Sequence, residues 1–289
     1  MKKVLTLLAG LAALAVVGGY LGALHPLGDS LAVFRLQGAG ALALLSALAL
    51  LAGAAGSGRL GMTLALVVGM PVVLSYWIHG PEVTGGLRIY QKNMLFKNGD
   101  LAGLAQDIAA AAPDAVTLQE VSEDNRALLD VLKPHLPHQL HCAFAAVGSV
   151  AIATSLPPIT GRERCAEGLA AMQVEGPQGP MWLVSVHLYW PWPHGQADQV
   201  RQLVPVLEGL DGPVVMAGDF NMARWSATVS ALAQAARVQP VGAVYDTYTG
   251  FAPWLILPID HVLSPDGGQT ELRGAFGSDH FGLLAEVGL

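Results

Sequence analysis

The sequence predicts a chain of two unlike parts: three membrane-spanning helices over residues 1–80, then an α+β domain over residues 88–289 built of two sheets with outer helices. A linker, 81–87, joins them. Two observations carry this. The first eighty residues hold only Lys2, Lys3, Asp29, Arg35 and Arg59 as charges. After them, strand-like and helix-like segments mix, and several strands follow one another directly, which excludes a plain βαβ array.

The amino-terminal part divides into apolar runs at Val4–Leu24, Leu36–Ala55 and Leu60–Trp77. Each is close to the roughly 20 residues that cross a bilayer's hydrocarbon core. Gly and Ala abundance suits close helix approach in lipid, and Met70-Pro71 inside the third run is tolerable there. A cleaved signal peptide is the rival for the first run, but no A-x-A-like site follows it. A soluble bundle is disfavoured because the helices have almost no polar face. Lys2, Lys3 and Arg59 favour a cytoplasmic amino terminus and second short loop; Arg35 runs against this, but Asp29 lies nearby and a flanking Arg can snorkel to the interface. Three spans then deliver the rest of the chain outside, as a multi-pass protein of a bacterial inner membrane.

"PEVTGG" (81–86) reads as breaker residues. "LRIYQKNMLF" reads as a strand, and "DLAGLAQDIAAAA" as a helix capped by Asp100. "DAVTLQEV" is a buried strand, and "SEDNRALLDVLK" a helix capped by Ser122. "HQLHCAF", "SVAIAT", "LAAMQVE" and "MWLVSVHL" are strands. "QADQVRQLVPVLEGL" and "SATVSALAQAA" are helices flanking the strand "PVVMAGDF". "PIDHVLS" and "GLLAEV" close the domain.

The chain is 53% hydrophobic and 13% charged. Of its 15 Lys and Arg, four precede Gly85, and of its 22 acids two do, leaving −9 on the remainder. Such a domain has no general attraction for long nucleic acid. Cys142 and Cys165 are the only cysteines. A disulfide suits an oxidising compartment, and two separate buried thiols are the alternative.

The informative polar residues fall at strand ends: Asn93, Glu120, His187, Asp219, Asn221, Asp260, Asp279 and His280. In "GDFN", Asp219 and Asn221 stand at i and i+2, which in a strand places both on one side. Buried acids are costly unless paired or metal-bound. Carboxylates and carboxamides without thiolates suit Mg²⁺ or Mn²⁺. His261 would face the other way and reads as structural. Tyr189, Trp190 and Trp192 could line a pocket, meet a membrane interface or simply pack.

The order "N…QE…H…GDFN…IDH…SDH" resembles the endonuclease/exonuclease/phosphatase superfamily, the deoxyribonuclease-I-like metal-dependent phosphohydrolases. The spans and "HLYWPWP" further resemble a membrane-anchored bacterial subgroup that includes VanJ-type glycopeptide-resistance proteins. The resemblance implies a four-layer αββα sandwich with its site at one end of the facing sheets. It implies Glu120 as main metal ligand, helped by Asn93, with Asp279 as a further ligand or as the partner of a catalytic histidine. It assigns Asp219 and Asn221 to the attacking water and the phosphate, and His187 to the phosphate or to acid catalysis. His280 would be the general acid/base, oriented by Asp260. The expected activity is hydrolysis of a phosphate ester or pyrophosphate, with a lipid-linked substrate favoured by the spans. A tethered nuclease or nucleotide phosphodiesterase is the chemical alternative, and a non-catalytic binding or sensing module the other.

Overall fold

The computed structural model describes residues 1–252 and 254–289. The amino-terminal part is α1 (Lys2–Gly18), α2 (Pro26–Val33), α3 (Arg35–Leu51) and α4 (Ala55–Ser75). Helices thus form at all three apolar runs, but the expectation of three full-length spans is not met. One helix, the 21-residue α4, is long and apolar enough to cross a bilayer; α2 and α3, bent by 73°, pass only if counted as one broken span. Helices α1 and α3 have 17 residues each, which is about 25 Å against a hydrocarbon core of about 30 Å. Gly53, at φ +80°, turns the chain out of α3, while Gly18 and Gly19 end α1 where α2 approaches, so that added Cβ atoms would lie 2.9 Å from Leu31 Cδ1 and 3.4 Å from Ala32 Cα.

Close packing holds the bundle together. Leu42 of α3 is buried against Ala9 of α1 and Ala65 of α4. At Gly58 an added Cβ would lie 2.6 Å from Leu50 Cγ, so α3 and α4 need glycine there. The opposite faces carry exposed leucines such as Leu7, Leu14 and Leu60.

The remainder comprises β1 (Leu87–Asn93), α5 (Leu101–Ala111), β2 (Ala115–Val121), α6 (Ala127–Leu132), β3 (His138–Ala145), β4 (Gly148–Thr154), β5 (Pro158–Ala166), β6 (Leu169–Gly176) and β7 (Gly179–His187). Then come α7 (Gln196–Glu208), β8 (Val214–Asp219), α8 (Ala227–Ala236), β9 (Gln239–Pro240), β10 (Tyr248–Ala252), β11 (Leu255–Leu257), β12 (Asp260–Ser264), β13 (Gly268–Arg273) and β14 (Gly282–Val287). Two six-stranded mixed sheets form, ordered β13-β14-β1-β2-β4-β3 and β5-β6-β7-β8-β12-β9, with β10 and β11 as a separate hairpin.

The sheets face each other across a core that includes Ile89, Ile152, Met172, Leu183 and Val215. Helices α5 and α6 cover the outer face of the first sheet through Leu104, Ile108 and Leu128. Helices α7 and α8 cover the second through Leu203, Leu207 and Leu232. Truncating a core leucine such as Leu183 to Ala is expected to cost about 2–5 kcal/mol. Cys142 on β3 and Cys165 on β5 form a disulfide, with Cα atoms 5.6 Å apart, that ties one sheet to the other.

This topology positions the site. Among the described residues the only parallel pairings are β1 with β2 and β7 with β8. Their crossovers run through α5 and α7, so the carboxyl ends of both pairs reach the same edge. Strand β12 runs antiparallel to β8 and sets its first residue, Asp260, opposite Asp219. Local signals behave unevenly. Asp100 and Ser226 cap α5 and α8, accepting from Gly103 N and Val229 N. Ser122 caps nothing: its hydroxyl donates to Phe96 O at 2.7 Å, and α6 begins only at Ala127.

Candidate active site

Six of the eight residues singled out by the sequence line one cavity of about 410 Å³: Glu120, His187, Asp219, Asn221, Asp279 and His280. The other two, Asn93 and Asp260, stand directly behind it. All eight therefore converge, from segments up to 187 positions apart.

Asn93 ends β1 with both amide atoms engaged. Its Nδ2 donates to Glu120 Oε1 at 3.1 Å and to Asp219 Oδ2 at 3.0 Å, while Oδ1 accepts from Leu95 N at 3.0 Å. It joins the ends of the two sheets at the cleft. Glu120 lies where the β2–β4 register shifts, and its φ is +57°. A left-handed glutamate costs roughly 1 kcal/mol or more. The strained bulge turns its carboxylate into the cleft, where Oε2 accepts from Phe96 N at 2.9 Å. Burial pushes the Glu120 carboxyl up, against the opposing effect of the Phe96 and Asn93 donors.

Strand β8 stops at Asp219, so Asn221 does not share a strand face with it as the i, i+2 spacing suggested. The two meet through a turn: Asn221, at φ +50°, donates its own N–H to Asp219 Oδ1 at 2.8 Å. Its Nδ2 donates to Leu188 O at 2.8 Å, leaving Oδ1 buried without a partner. Asp219 is buried, which raises its carboxyl; the His280 charge opposes this and Asp260 reinforces it.

His280 and Asp260 form the tightest titratable pair, Nδ1 to Oδ2 at 2.8 Å. Gln91 Nε2 donates to the other Asp260 oxygen at 2.8 Å. Burial opposes a charge on His280, but Asp260, Asp219 and Asp279 outweigh it and raise the imidazole to about 9. The Asp260 carboxyl, whose burial alone would raise it, is held below the usual carboxylate range by the His280 charge and hydrogen bond. His280 is thus cationic at neutral pH and aims Nε2 at Asp219 Oδ2, 3.7 Å away. His187 is the opposite case. Burial, and then the His280 charge, depress it to about 3, so it is a neutral imidazole 3.6 Å from the same oxygen.

Asp279 contributes an Oδ1 that is buried and unpartnered. His261 is structural, as its strand position suggested: it bonds Met222 O at 2.7 Å and packs on Phe220. His280 also contacts two residues that sequence reasoning missed. Tyr248, in the hairpin that was not foreseen, stacks on it with centroids 4.7 Å apart. Lys92, on β1, is fully buried, and burial lowers its amine to about 7 against the pull of Asp260, Asp279 and Asp107. Its Nζ donates to Ala275 O at 2.8 Å and to His280 O, fastening the loop that carries Asp279 and His280. No sequence pattern marks either residue.

The donor set fits a hard divalent cation. Three carboxylates, those of Glu120, Asp219 and Asp279, share the cleft, and no Lys or Arg lines it among the described residues. Burial raises the carboxyls of Glu120 and Asp219, and Asp279 Oδ1 and Asn221 Oδ1 lack a partner. Asp219, Asp260 and His280 also present atoms within 4.8 Å of one another. Both Asp260 oxygens and His280 Nδ1 are already spent on hydrogen bonds, and each oxygen of Glu120 and Asp219 also accepts one; Asp279 Oδ1 and Asn221 Oδ1 are the unpartnered oxygens, and Glu120, Asp219 and Asp279, unlike Asp260, line the cavity itself.

Facing mixed sheets with outer helices, and an acid–imidazole cluster at the carboxyl ends of their parallel strands, define an α+β protein whose cleft gathers groups able to hold a cation and transfer protons. The chain belongs to the endonuclease/exonuclease/phosphatase family, whose model matches residues 91–280. Endonucleases, exonucleases and phosphatases all hydrolyse phosphate esters. No curated protein sequence matches the chain. Among solved structures it is similar to sphingomyelinase C from Streptomyces griseocarneus, with 17% identity, TM-score 0.52, and 71% of this chain and 100% of that one covered. It is similar to a humanized D. rerio TDP2 at 20% identity and TM-score 0.53, covering 70% and 98%. A Staphylococcus aureus beta toxin mutant with bound magnesium ions matches at 14% identity and TM-score 0.53, covering 70% and 100%. At these identities the likeness is one of fold.

Proposed function

We propose that this protein is a membrane-anchored, divalent-metal-dependent phosphohydrolase whose site faces outside the cytoplasmic membrane and takes a phosphate ester or pyrophosphate on a lipid. Residues 1–80 are its anchor, with α4 as the span and α1 and α3 packed on it; 81–87 are the linker and 88–289 the catalytic domain. The observation that carries the chemistry is the cluster of Glu120, Asp219 and Asp279 around a cleft whose one cationic group is His280.

Glu120 and Asp279, with Asp219 beside them, would hold Mg²⁺ or Mn²⁺. Asn93 joins the cluster through Glu120 and Asp219. A bound ion would neutralise phosphoryl oxygens and so make phosphorus attackable. Asp219, its carboxyl raised by burial, accepts a proton from water beside the phosphate. Asn221 keeps Asp219 in place. His280, cationic and fixed by Asp260, donates from Nε2 to the phosphoryl or leaving oxygen. His187, neutral, offers a hydrogen bond without adding charge.

Several features support the membrane and lipid reading. Away from its acids and imidazoles the cleft is walled by Phe96, Phe144, Tyr189, Trp190 and Tyr248, which suits one phosphate on an apolar group better than a polyanion. The Cys142–Cys165 disulfide suits an oxidising compartment. Thr6 Oγ1 lies 3.2 Å from Ser57 Oγ, so Lys2, Lys3 and Arg59 gather at one end of the bundle, which the positive-inside rule favours as the cytoplasmic end. The catalytic domain sits at the other end.

The test is a substrate panel on purified protein: plasmid DNA, nucleotides and polyprenyl phosphates and pyrophosphates, each with Mg²⁺ and with chelator. Chelator-sensitive hydrolysis of a lipid phosphate is expected. Cleavage of plasmid DNA alone would overturn the lipid preference, and no hydrolysis at all would favour a binding module.

A further inference from the structure

Helix α2 is wedged between the end of α1, where a Cβ on Gly18 would lie 2.9 Å from Leu31 Cδ1, and the catalytic domain. Asp29 is buried, and its two oxygens accept from Ala227 N at 2.7 Å and Thr228 N at 2.8 Å, the first residues of α8. Those amides lack partners within their own helix, and a carboxylate there meets the positive end of the helix dipole. Trp225 Nε1 donates to Ala32 O at 2.7 Å, and Ser30 Oγ donates to Trp192 O at 3.1 Å. Val33 joins the core formed by β7, β8, α7 and α8. Phe34 meets Phe251 of the β10–β11 hairpin edge to face. The approach is close: a Cβ on Gly22 would lie 2.9 Å from Asp29 Cγ and 3.1 Å from Ala227 Cβ.

These contacts fall on the segments that form the cleft. Trp192 follows His187 through Tyr189 and Trp190, both cleft residues. Trp225 follows Asn221 on the loop into α8. Phe251 shares its strand with Tyr248, which stacks on His280. A second attachment lies at the end of α4, where Val244 N donates to Ser75 O at 3.0 Å and Tyr76 OH donates to Asp246 Oδ1 at 2.6 Å. Two points of attachment remove the rotation that one flexible linker would allow.

We propose that α2 is a positioning helix, latched by Asp29 and Trp225, that fixes the cleft at the end of the helix bundle so that the site acts on phosphates presented at the lipid surface in preference to the same group in bulk water. The proposal rests on the reading of the chain as a membrane-anchored phosphohydrolase. Asp29 and Trp225 touch no reacting group. Their loss frees the orientation of the domain and leaves the cleft's own chemistry in place.

The experiment uses the full chain in phosphatidylcholine vesicles. One aryl phosphodiester is offered in two forms, free in solution and carried on a diacyl anchor in the bilayer. A nitroxide pair at Leu44→Cys on α3 and Gln178→Cys in the β6–β7 turn reports the spread of distances between bundle and domain. The parent should show one narrow distribution. Asp29→Ala combined with Trp225→Phe should broaden it and lower the rate on the anchored ester about tenfold, the scale on which lost orientation acts. The rate on the free ester should stay unchanged, and Asp29→Asn, which keeps one acceptor, should fall between. An unchanged distance distribution, or an equal fall on both esters, would overturn the proposal. A protein that hydrolyses neither ester but still broadens on substitution would keep the latch and remove the phosphohydrolase reading.

Discussion

Asp260→Asn tests the proton chemistry with the least change of shape. The Asp260 side chain is fully buried, accepts from His280 Nδ1 and Gln91 Nε2 at 2.8 Å each, and so uses both oxygens. Asparagine offers one acceptor and one donor. If its oxygen keeps His280, its amide faces the Gln91 amide, donor against donor. Gln91 cannot simply turn over, because the same Nε2 donates to Gln119 Oε1 at 2.9 Å, and Gln119 in turn donates to Ser185 Oγ at 3.1 Å. The substitution therefore removes the main charge that keeps His280 protonated and frustrates a buried amide relay. With His280 raised from 6.5 to about 9, at about 1.36 kcal/mol per pH unit, the net preference for its charged form, with Asp260, Asp219 and Asp279 together outweighing burial, is roughly 3 kcal/mol. A raised imidazole contributes stability that is full below its ordinary value of 6.5 and is lost as pH rises through about 9. Without added cation, the parent's unfolding free energy should fall across that window, and Asp260→Asn should flatten the fall. Hydrolysis at neutral pH should drop on the order of 10³-fold, and the alkaline limb of the rate profile should move to lower pH. Parent activity with an unchanged alkaline limb in Asp260→Asn would refute the acid role of His280.

Further substitutions probe the cation site and the frame. Glu120→Gln should cut hydrolysis about 100-fold or more and raise the Mg²⁺ concentration needed for half-activity, since a main ligand loses its charge; a rate curve against Mg²⁺ reads both. Lys92→Met leaves the carbonyls of Ala275 and His280 without their donor, at a cost of about 1–3 kcal/mol. It should lower kcat more than KM, because the loop bearing Asp279 and His280 loosens. Reducing the Cys142–Cys165 bridge, which spans 23 positions, should cost about 3 kcal/mol by the chain-entropy account. A denaturant titration with and without reductant measures it.

The cluster was legible because strand ends write chemistry into local sequence. An apolar run closed by "GDFN" or "QE" announces a buried strand that delivers a polar group to an edge. Which edges meet is a matter of topology, and the two parallel pairings that align β1, β2, β7 and β8 left no such local mark. The same limit hid Tyr248 and Lys92. Each acts on His280 from a distant segment, Tyr248 from a hairpin with weak strand character and Lys92 from a strand where a lysine reads as surface. The strain at Glu120 is equally silent, because nothing in "LQEV" distinguishes a bulge from a regular strand. In the anchor, hydropathy located the helices but not their lengths. The stretch from Gly19 to Leu24 reads as apolar continuation, yet it is the turn that leads into α2, on which Asp29, an isolated charge in the sequence, becomes the cap of α8.

The measurement that bears most directly on the central claim is anomalous diffraction from crystals of the protein soaked with Mn²⁺ and inorganic phosphate. A manganese peak bounded by Glu120, Asp219 and Asp279, with phosphate oxygens within reach of His280 Nε2, is the predicted result. A cleft that stays free of manganese while chelator-insensitive hydrolysis continues would contradict the account.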